Sequence, residues 1–206
     1  MKLSTKLLLT AASVLISLSM FTTQANEIYG ATSKDLIPIQ RQYAAVAPRY
    51  PAVLKPGVEA LKVTAWVDHE NLVYKLGDTV KFYVKANKDC YITLLDIGTT
   101  GKTHIIFPNK FQRTNSVKAG QVVSLPRAID NYDFKATGAR GKEVVKVIAT
   151  MERETIIPER YLQKAGHFMQ IRTKDISVVP TYIMGLLDTP NKSKEWAEYT
   201  KVLTIR

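Results

Sequence analysis

The fold is most clearly indicated by residues 79–97, which read TVKFYVKANKDCYITLLDI. In the first half, Val80, Phe82 and Val84 alternate with more polar residues, and this period of two predicts a strand with one buried face. The second half, from residue 90 to residue 97, is apolar on both faces, which is typical of a central strand. A short polar segment, Asn-Lys-Asp, separates the halves and predicts a turn.

Segments on either side of this stretch repeat the pattern. Residues 61–67 alternate with period two, residues 98–101 predict a hairpin turn, and residues 102–107 and 142–151 predict further strands. Many short strands with turn signals every 8 to 12 residues favour a β-sandwich. We therefore expect a mainly β, immunoglobulin-like sandwich over residues 61–206.

The N-terminal residues are expected to be an export signal rather than part of the fold. Lys2 and Lys6 precede an apolar stretch of about 15 residues, which is shorter than the roughly 20 that a spanning helix needs. Small residues before position 26 predict cleavage after Ala25 and a protein that is periplasmic or secreted. We expect no transmembrane segment after cleavage.

Residues 26–60 contain four of the nine prolines and show no sustained period. They predict an extended N-terminal arm, either packed on the domain through Tyr43 and Tyr50 or free as a linker. The one clear helix signal in the chain lies at residues 158–165, where proline stands at the first helical position and Gly166 follows the end.

The charge balance indicates what kind of partner to expect. The chain has 29 basic and 18 acidic residues, and removal of the two lysines of the signal changes the net charge from +11 to +9. A basic exported protein meets anionic polymers of the cell envelope, although positive charge also serves solubility alone. We expect the partner to be an envelope protein or an anionic envelope polymer, and not a specific nucleic acid.

The positive charge is concentrated where acidic residues are missing, between Asp96 and Asp130. Within this stretch lies the loop 109–118, which we call the basic loop and which carries one aromatic residue, Phe111. A basic loop of this kind predicts a surface that faces an anion or a polymer, with a merely solvated loop as the alternative. One aromatic side chain is too few for a stacking platform that binds single-stranded nucleic acid. The candidate binding residues are Lys102, Lys110, Phe111, Arg113, Lys118 and Arg127.

The sequence predicts no catalytic residue, metal ligand or cofactor. Cys90 begins an apolar strand and is expected to be buried and unreactive. Pairing across the 98–101 turn should bring His104 towards Leu94 or Leu95, away from that thiol. Residues 68–70 are Asp-His-Glu, and neighbouring side chains of an extended chain point to opposite sides, so we expect a solvated turn there rather than a metal site.

A non-enzymatic binding module is our main expectation for the function. The alternative is a cell-wall hydrolase or an effector-associated secreted protein.

A set of short motifs follows in a fixed order from residue 61 to residue 151. The set contains a Tyr-x-x-Gly-Asp turn, a tyrosine-bearing core strand, a Phe-Pro-Asn strand end and a late Gly-x-Glu. It resembles the bacterial family of domain of unknown function 4384, and the resemblance implies an exported all-β accessory module. Such modules occur alone or attached to envelope proteins, caspase-like peptidases or protein kinases. We interpret the motif residues as structural: Tyr74, Gly77, Asp78, Tyr91, Gly101, Phe107, Pro108, Asn109, Gly120, Pro126, Gly141 and Glu143.

Overall fold

The computed structural model describes residues 33–48, 58–188 and 195–206, so the predicted signal and its cleavage site lie outside the described residues. The chain is mainly β, as the sequence predicted. Its strands are β1 (Val63–Val67), β2 (Val73–Tyr74), β3 (Thr79–Val80), β4 (Phe82–Ala86), β5 (Cys90–Ile97), β6 (Thr103–Phe107), β7 (Ser116–Val117), β8 (Val122–Leu125), β9 (Phe134–Lys135), β10 (Gly141–Thr150), β11 (Leu162–Ala165), β12 (Phe168–Ile171) and β13 (Trp196–Ile205). The α-helices are α1 (Pro38–Ala44) and α2 (Val179–Leu187), and short 3₁₀ turns lie at Ser33–Asp35, Glu159–Tyr161 and Thr173–Asp175.

The main sheet has eight strands, seven of them in the order β11-β12-β6-β5-β10-β13-β2, with β7 paired to the start of β5. Its centre is β10, which is antiparallel to both neighbours and pairs with β13 from Gly141 to Thr150. The valine- and isoleucine-rich sequence of β10 suits this position, because both faces of a central strand are buried.

A second layer covers one face of the main sheet. It consists of the three-stranded sheet β1-β4-β8 and the short pair β3-β9. Between the layers lies a core that includes Val84, Ile92 and Val147, all at most 2% exposed. The opposite face of the main sheet carries α1 and α2, whose apolar residues form a second core with Ile97 and Ile148. The predicted β-sandwich is therefore confirmed, with helices added on one outer face.

The N-terminal arm is more structured than its proline content indicates. Residues 38–44 form α1, with proline in the first turn. Tyr43, near the end of this helix, is fully buried. The side-chain amide of Gln40 donates hydrogen bonds to the carbonyls of Lys142 and Gly98, at 2.7 and 3.2 Å. The arm thus clamps the ends of β5 and β10, whereas the sequence predicted extended chain; Tyr50 lies outside the described residues.

The helix predicted at 158–165 is wrong beyond its first turn. A 3₁₀ turn at Glu159–Tyr161 is followed by β11, which pairs with β12 in a hairpin. Gly166, interpreted as a helix end, instead sits in the hairpin turn with φ of +62°. Both structures favour glycine at that point because both need a positive φ there.

Candidate functional site

A cavity of ≈ 170 Å³ opens between the β3-β9 pair and the main sheet. Its floor is formed by strands β6, β5, β10 and β13, and its side by the β11-β12 hairpin. Lining residues include three with ionisable groups on the floor, Asp96, His104 and Glu143, and three aromatic residues on the walls, Phe82, Phe134 and Phe168. The cavity therefore combines apolar walls with a few convergent polar groups, the usual composition of a ligand site.

Strand register brings the three polar side chains together. His104 on β6 lies directly opposite Asp96 on β5, and Asp96 lies opposite Val145 on β10. Glu143 is two residues from Val145 and therefore shares its face of the sheet. The Nδ1 atom of His104 lies 3.7 Å from Oδ2 of Asp96. Three adjacent strands thus contribute one ionisable group each to the same floor.

The carboxyl groups of Glu143 and Asp96 are in hydrogen-bond contact. Burial, and then the negative charge of Asp96, raise the pKa of Glu143 to about 9. Glu143 therefore keeps its proton at neutral pH and donates it to the Asp96 carboxylate. Oδ1 of Asp96 is buried and has no hydrogen-bond partner among the described residues. The pair consequently holds one negative charge and one proton inside the cavity.

A chain of aromatic rings leads from the cavity to the basic loop. Phe134 contacts Phe82, Phe168 and Tyr132 with ring-centroid distances of 5.6, 5.8 and 5.3 Å. Tyr132 stacks on Phe111 at 5.1 Å. Phe111 is 39% exposed, and Nζ of Lys110 lies 4.8 Å from its ring centre. The aromatic wall, which we define as these five rings, joins a buried pocket to an exposed basic loop.

The six basic-loop candidates do not form one patch. Lys118 and Arg127 are each paired with a carboxylate, of Asp89 and Asp130 respectively, at 2.7 Å. Lys102 precedes β6, whereas 110–113 follow it, so a five-residue strand of about 3.3 Å per residue separates them. Only Lys110, Phe111 and Arg113 share the loop beside the aromatic wall.

Several family-motif residues make local contacts in turns and at strand ends. The hydroxyl of Tyr74 donates to Asp68, and Asp78 accepts from the backbone of Lys75, both at 2.7 Å. Asn109 closes its loop by accepting from the amide of Phe111 at 2.9 Å. The four motif glycines have positive φ: Gly77, Gly101, Gly120 and Gly141.

The position of Glu143 in the cavity was not predicted, because the sequence analysis interpreted all motif residues as purely structural. The sequence did contain a signal: an isolated acid stands beside an apolar run in each of two core strands, at 96 and at 143. The sequence also placed His104 near Leu94 or Leu95. The loop between β5 and β6 spans residues 98–102, one residue more than the predicted turn, so Thr103 pairs with Ile97 and His104 stands opposite Asp96.

The other candidate groups are engaged elsewhere. Cys90 is 3% exposed, as predicted, and burial raises the pKa of its thiol to about 11. His69 stacks on Tyr74 at 4.4 Å, and Asp68 accepts from that tyrosine. No group of three or more His, Cys, Asp or Glu side chains within the described ranges is arranged to hold a metal ion.

These features define a two-layer β-sandwich with a polar-floored cavity at one side. Residues 73–153 match the family model described as "Domain of unknown function (DUF4384)", which confirms the resemblance over that segment. All three ionisable residues of the cavity floor lie inside it. No curated protein and no solved structure matches the chain. In the part of the chain that the structure describes, no helix is long and apolar enough to cross a membrane.

Proposed function

We propose that this chain is a non-enzymatic, exported module that binds a component of the cell envelope through the cavity and the aromatic wall. The observation that carries the proposal is the convergence of Asp96, His104 and Glu143 on one cavity with aromatic sides. Export rests on the sequence of residues 1–25 alone.

The size of the cavity favours recognition of one chemical group. Pockets that enclose a whole drug-sized ligand have volumes of about 300–1,000 Å³, and this one has ≈ 170 Å³. A larger partner would insert a single side chain or substituent and lie along the aromatic wall outside. Lys110 and Phe111 are exposed at the end of that wall and would contact the part of the partner that stays outside the cavity.

A cell-wall hydrolase is the second candidate, because a protonated acid beside a carboxylate and a histidine is a recognisable acid–base arrangement. Two features favour binding instead. The carboxyls of Asp96 and Glu143 touch, whereas a glycosidase pair is separated by about 5 Å or more. Proton transfer is also most efficient when the pKa of the acid is near the working pH, and the pKa of Glu143 is about 9.

Filling the cavity tests the binding role. Ala165 lines the cavity at the end of β11, so Ala165→Phe should place a ring inside it. Gln163→Phe adds the same ring to an exposed position of the same strand, outside the cavity, and is the matched control. We expect co-sedimentation with isolated envelope fractions to be lost with Ala165→Phe and kept with Gln163→Phe. Equal sedimentation of both variants and the unaltered protein would refute the proposal.

Release of soluble fragments separates the two candidates. The purified protein should bind envelope polymer without releasing fragments from it. Fragment release that disappears with Glu143→Gln, while binding persists, would instead establish the hydrolase.

A further inference from the structure

We infer that the cavity accepts a primary ammonium group carried on a short apolar stem, the chemistry shared by a lysine side chain and a free alkylamine. This inference rests on the proposed binding function and specifies its ligand. It is drawn from the charges on the floor, the rings on the walls and the size of the enclosed space.

Among the described residues, the cavity floor has no ammonium or guanidinium group that pairs with its two carboxyls. Asp96 and Glu143 touch each other, and in the described part of the chain the one basic group within ion-pair distance of either is the imidazole of His104, whose Nδ1 lies 3.7 Å from Oδ2 of Asp96. Lys135 also lines the cavity, yet within the described residues it forms no ion pair with either carboxyl. An ammonium has three donors and no acceptor. It would donate to both carboxyls, and on Asp96 to the buried Oδ1, which has no hydrogen-bond partner among the described groups.

The walls suit the same ligand. The faces of aromatic rings attract cations, and aromatic cages are a common way of binding ammonium groups. Phe82, Phe134 and Phe168 line the same cavity as the carboxyl pair. A cavity of about 150 Å³ holds benzene, so ≈ 170 Å³ accommodates an ammonium with a stem of about four carbons. An anion would be repelled by Asp96, and a neutral group would leave its charge uncompensated.

Binding of a cation should expel the proton of Glu143. The titratable groups that line the cavity with Glu143 are Asp96 from β5, His104 from β6 and Lys135 from β9, while β13 presents the apolar Leu203. An added positive charge favours the ionised carboxylate and lowers its pKa from the value of about 9 in the free protein. Affinity should therefore rise by up to about tenfold per pH unit between the lowered pKa and pH 9.

Isothermal titration calorimetry of the purified protein with n-butylammonium is the direct test. n-Butanol and pentanoate have the same butyl stem with a neutral and an anionic head. For five heavy atoms we expect a Kd of about 1 mM for butylammonium. The two other probes should bind at least about tenfold more weakly. Titration at pH 7.5 in two buffers of different ionisation enthalpy should show release of close to one proton.

Glu143→Gln provides the decisive variant, since glutamine keeps the size and donor capacity of the protonated acid. It should abolish proton release and weaken butylammonium binding by about tenfold. Glu70→Gln, an exposed carboxylate away from the cavity, is the control and should change neither quantity. Thermal melts establish that both variants fold.

A lysine capped at its backbone groups only, Nα-acetyl-lysine N-methylamide, distinguishes the two sources of the ligand. Binding as tight as that of butylammonium assigns the site to lysine side chains of a partner protein, and binding of butylammonium alone assigns it to small amines. The inference is overturned if butanol binds as tightly as butylammonium, or if no saturation occurs by about 50 mM. A different result would refute the proposed function but not the ligand assignment: Ala165→Phe would abolish butylammonium binding and leave sedimentation with the envelope unchanged.

Discussion

Glu143 and Asp96 lie on adjacent antiparallel strands, offset by two residues, with their carboxyl groups in hydrogen-bond contact. They are 47 positions apart in the chain, and β-sheet register alone brings them together. Glu143 donates a hydrogen bond to Asp96 only while it is protonated. The ionisation of Glu143 is therefore coupled to the stability of the sandwich.

This pair should make the protein less stable as the pH rises. The pKa of Glu143 is about 9 in the folded state and 4.5 without the fold. Between those values the unfolded chain has lost this proton and the folded chain keeps it, so stability falls with increasing pH, by at most about 1.4 kcal/mol per unit. Below pH 4.5 this group contributes no slope. Urea unfolding from pH 5 to pH 9 should show the fall in the unaltered protein and a smaller one in Glu143→Gln. Parallel curves would show that Glu143 is ionised in the folded state.

The basic loop should contribute to envelope binding mainly through charge. Charge reversal by Lys110→Glu with Arg113→Glu should weaken sedimentation with envelope fractions at low salt. The loss should diminish at physiological salt, where screening acts over roughly 8 Å. Lys102→Glu makes the same kind of change at the other end of β6 and should have less effect. Binding that ignores both salt and the double reversal would exclude the loop as a contact surface.

Phe134 should be the most important ring for stability. It is 6% exposed and contacts three other rings, so Phe134→Ala should cost about 3–5 kcal/mol of unfolding free energy. Phe111 lies at the exposed end of the same wall, and its truncation to alanine should cost well under half as much. Phe111→Ala should nevertheless reduce envelope binding by an amount that salt does not change. Chemical denaturation measures both variants, and similar losses would contradict the arrangement of the wall.

Cys90 should resist modification in the folded protein. Its thiol is buried, and the raised pKa leaves little thiolate at neutral pH. Labelling by a disulfide reagent should therefore proceed on the timescale of unfolding and accelerate in urea. Fast labelling without denaturant would show that the start of β5 opens readily.

Gly101 should be intolerant of a side chain, because α1 lies against it. A Cβ atom there would come 2.6 Å from Cγ2 of Ile39, and φ is +84°. Gly101→Ala should therefore destabilise the fold by more than Gly120→Ala, where φ is +76° but nothing lies within 4 Å. The backbone component is about 1 kcal/mol or more at both sites. Adding Ile39→Ala to Gly101→Ala should recover part of the difference, and equal losses at the two glycines would argue against docking of α1.

Strands such as β1, β5 and β10 could be predicted because each carries its own pattern. The single strand predicted from Val80, Phe82 and Val84 instead divides at Lys81 into β3 and β4, which belong to different sheets. The helix at 158–165 was wrong because proline and glycine mark helix ends and hairpin turns alike, and pairing with β12 decides between them. The cavity could not be predicted for a related reason. It depends on which residues stand opposite each other across β6, β5 and β10, and a shift of one residue turns a side chain to the other face. Asp96, His104 and Glu143 were all visible in the sequence, but their common face was not.

The pairing of β10 with β13 also determines which residues a fragment of this chain must contain to fold when it is excised or fused to another protein. The family segment, residues 73–153, ends shortly after β10, while β13 covers that strand from Gly141 to Thr150 and begins at residue 196. Excised by itself, the segment would expose ten residues of a hydrophobic strand edge, the kind of edge that recruits other chains into aggregates. A fusion or a transplant should therefore carry the C-terminal strand with it. It should also carry α1, which covers the other side of the sheet.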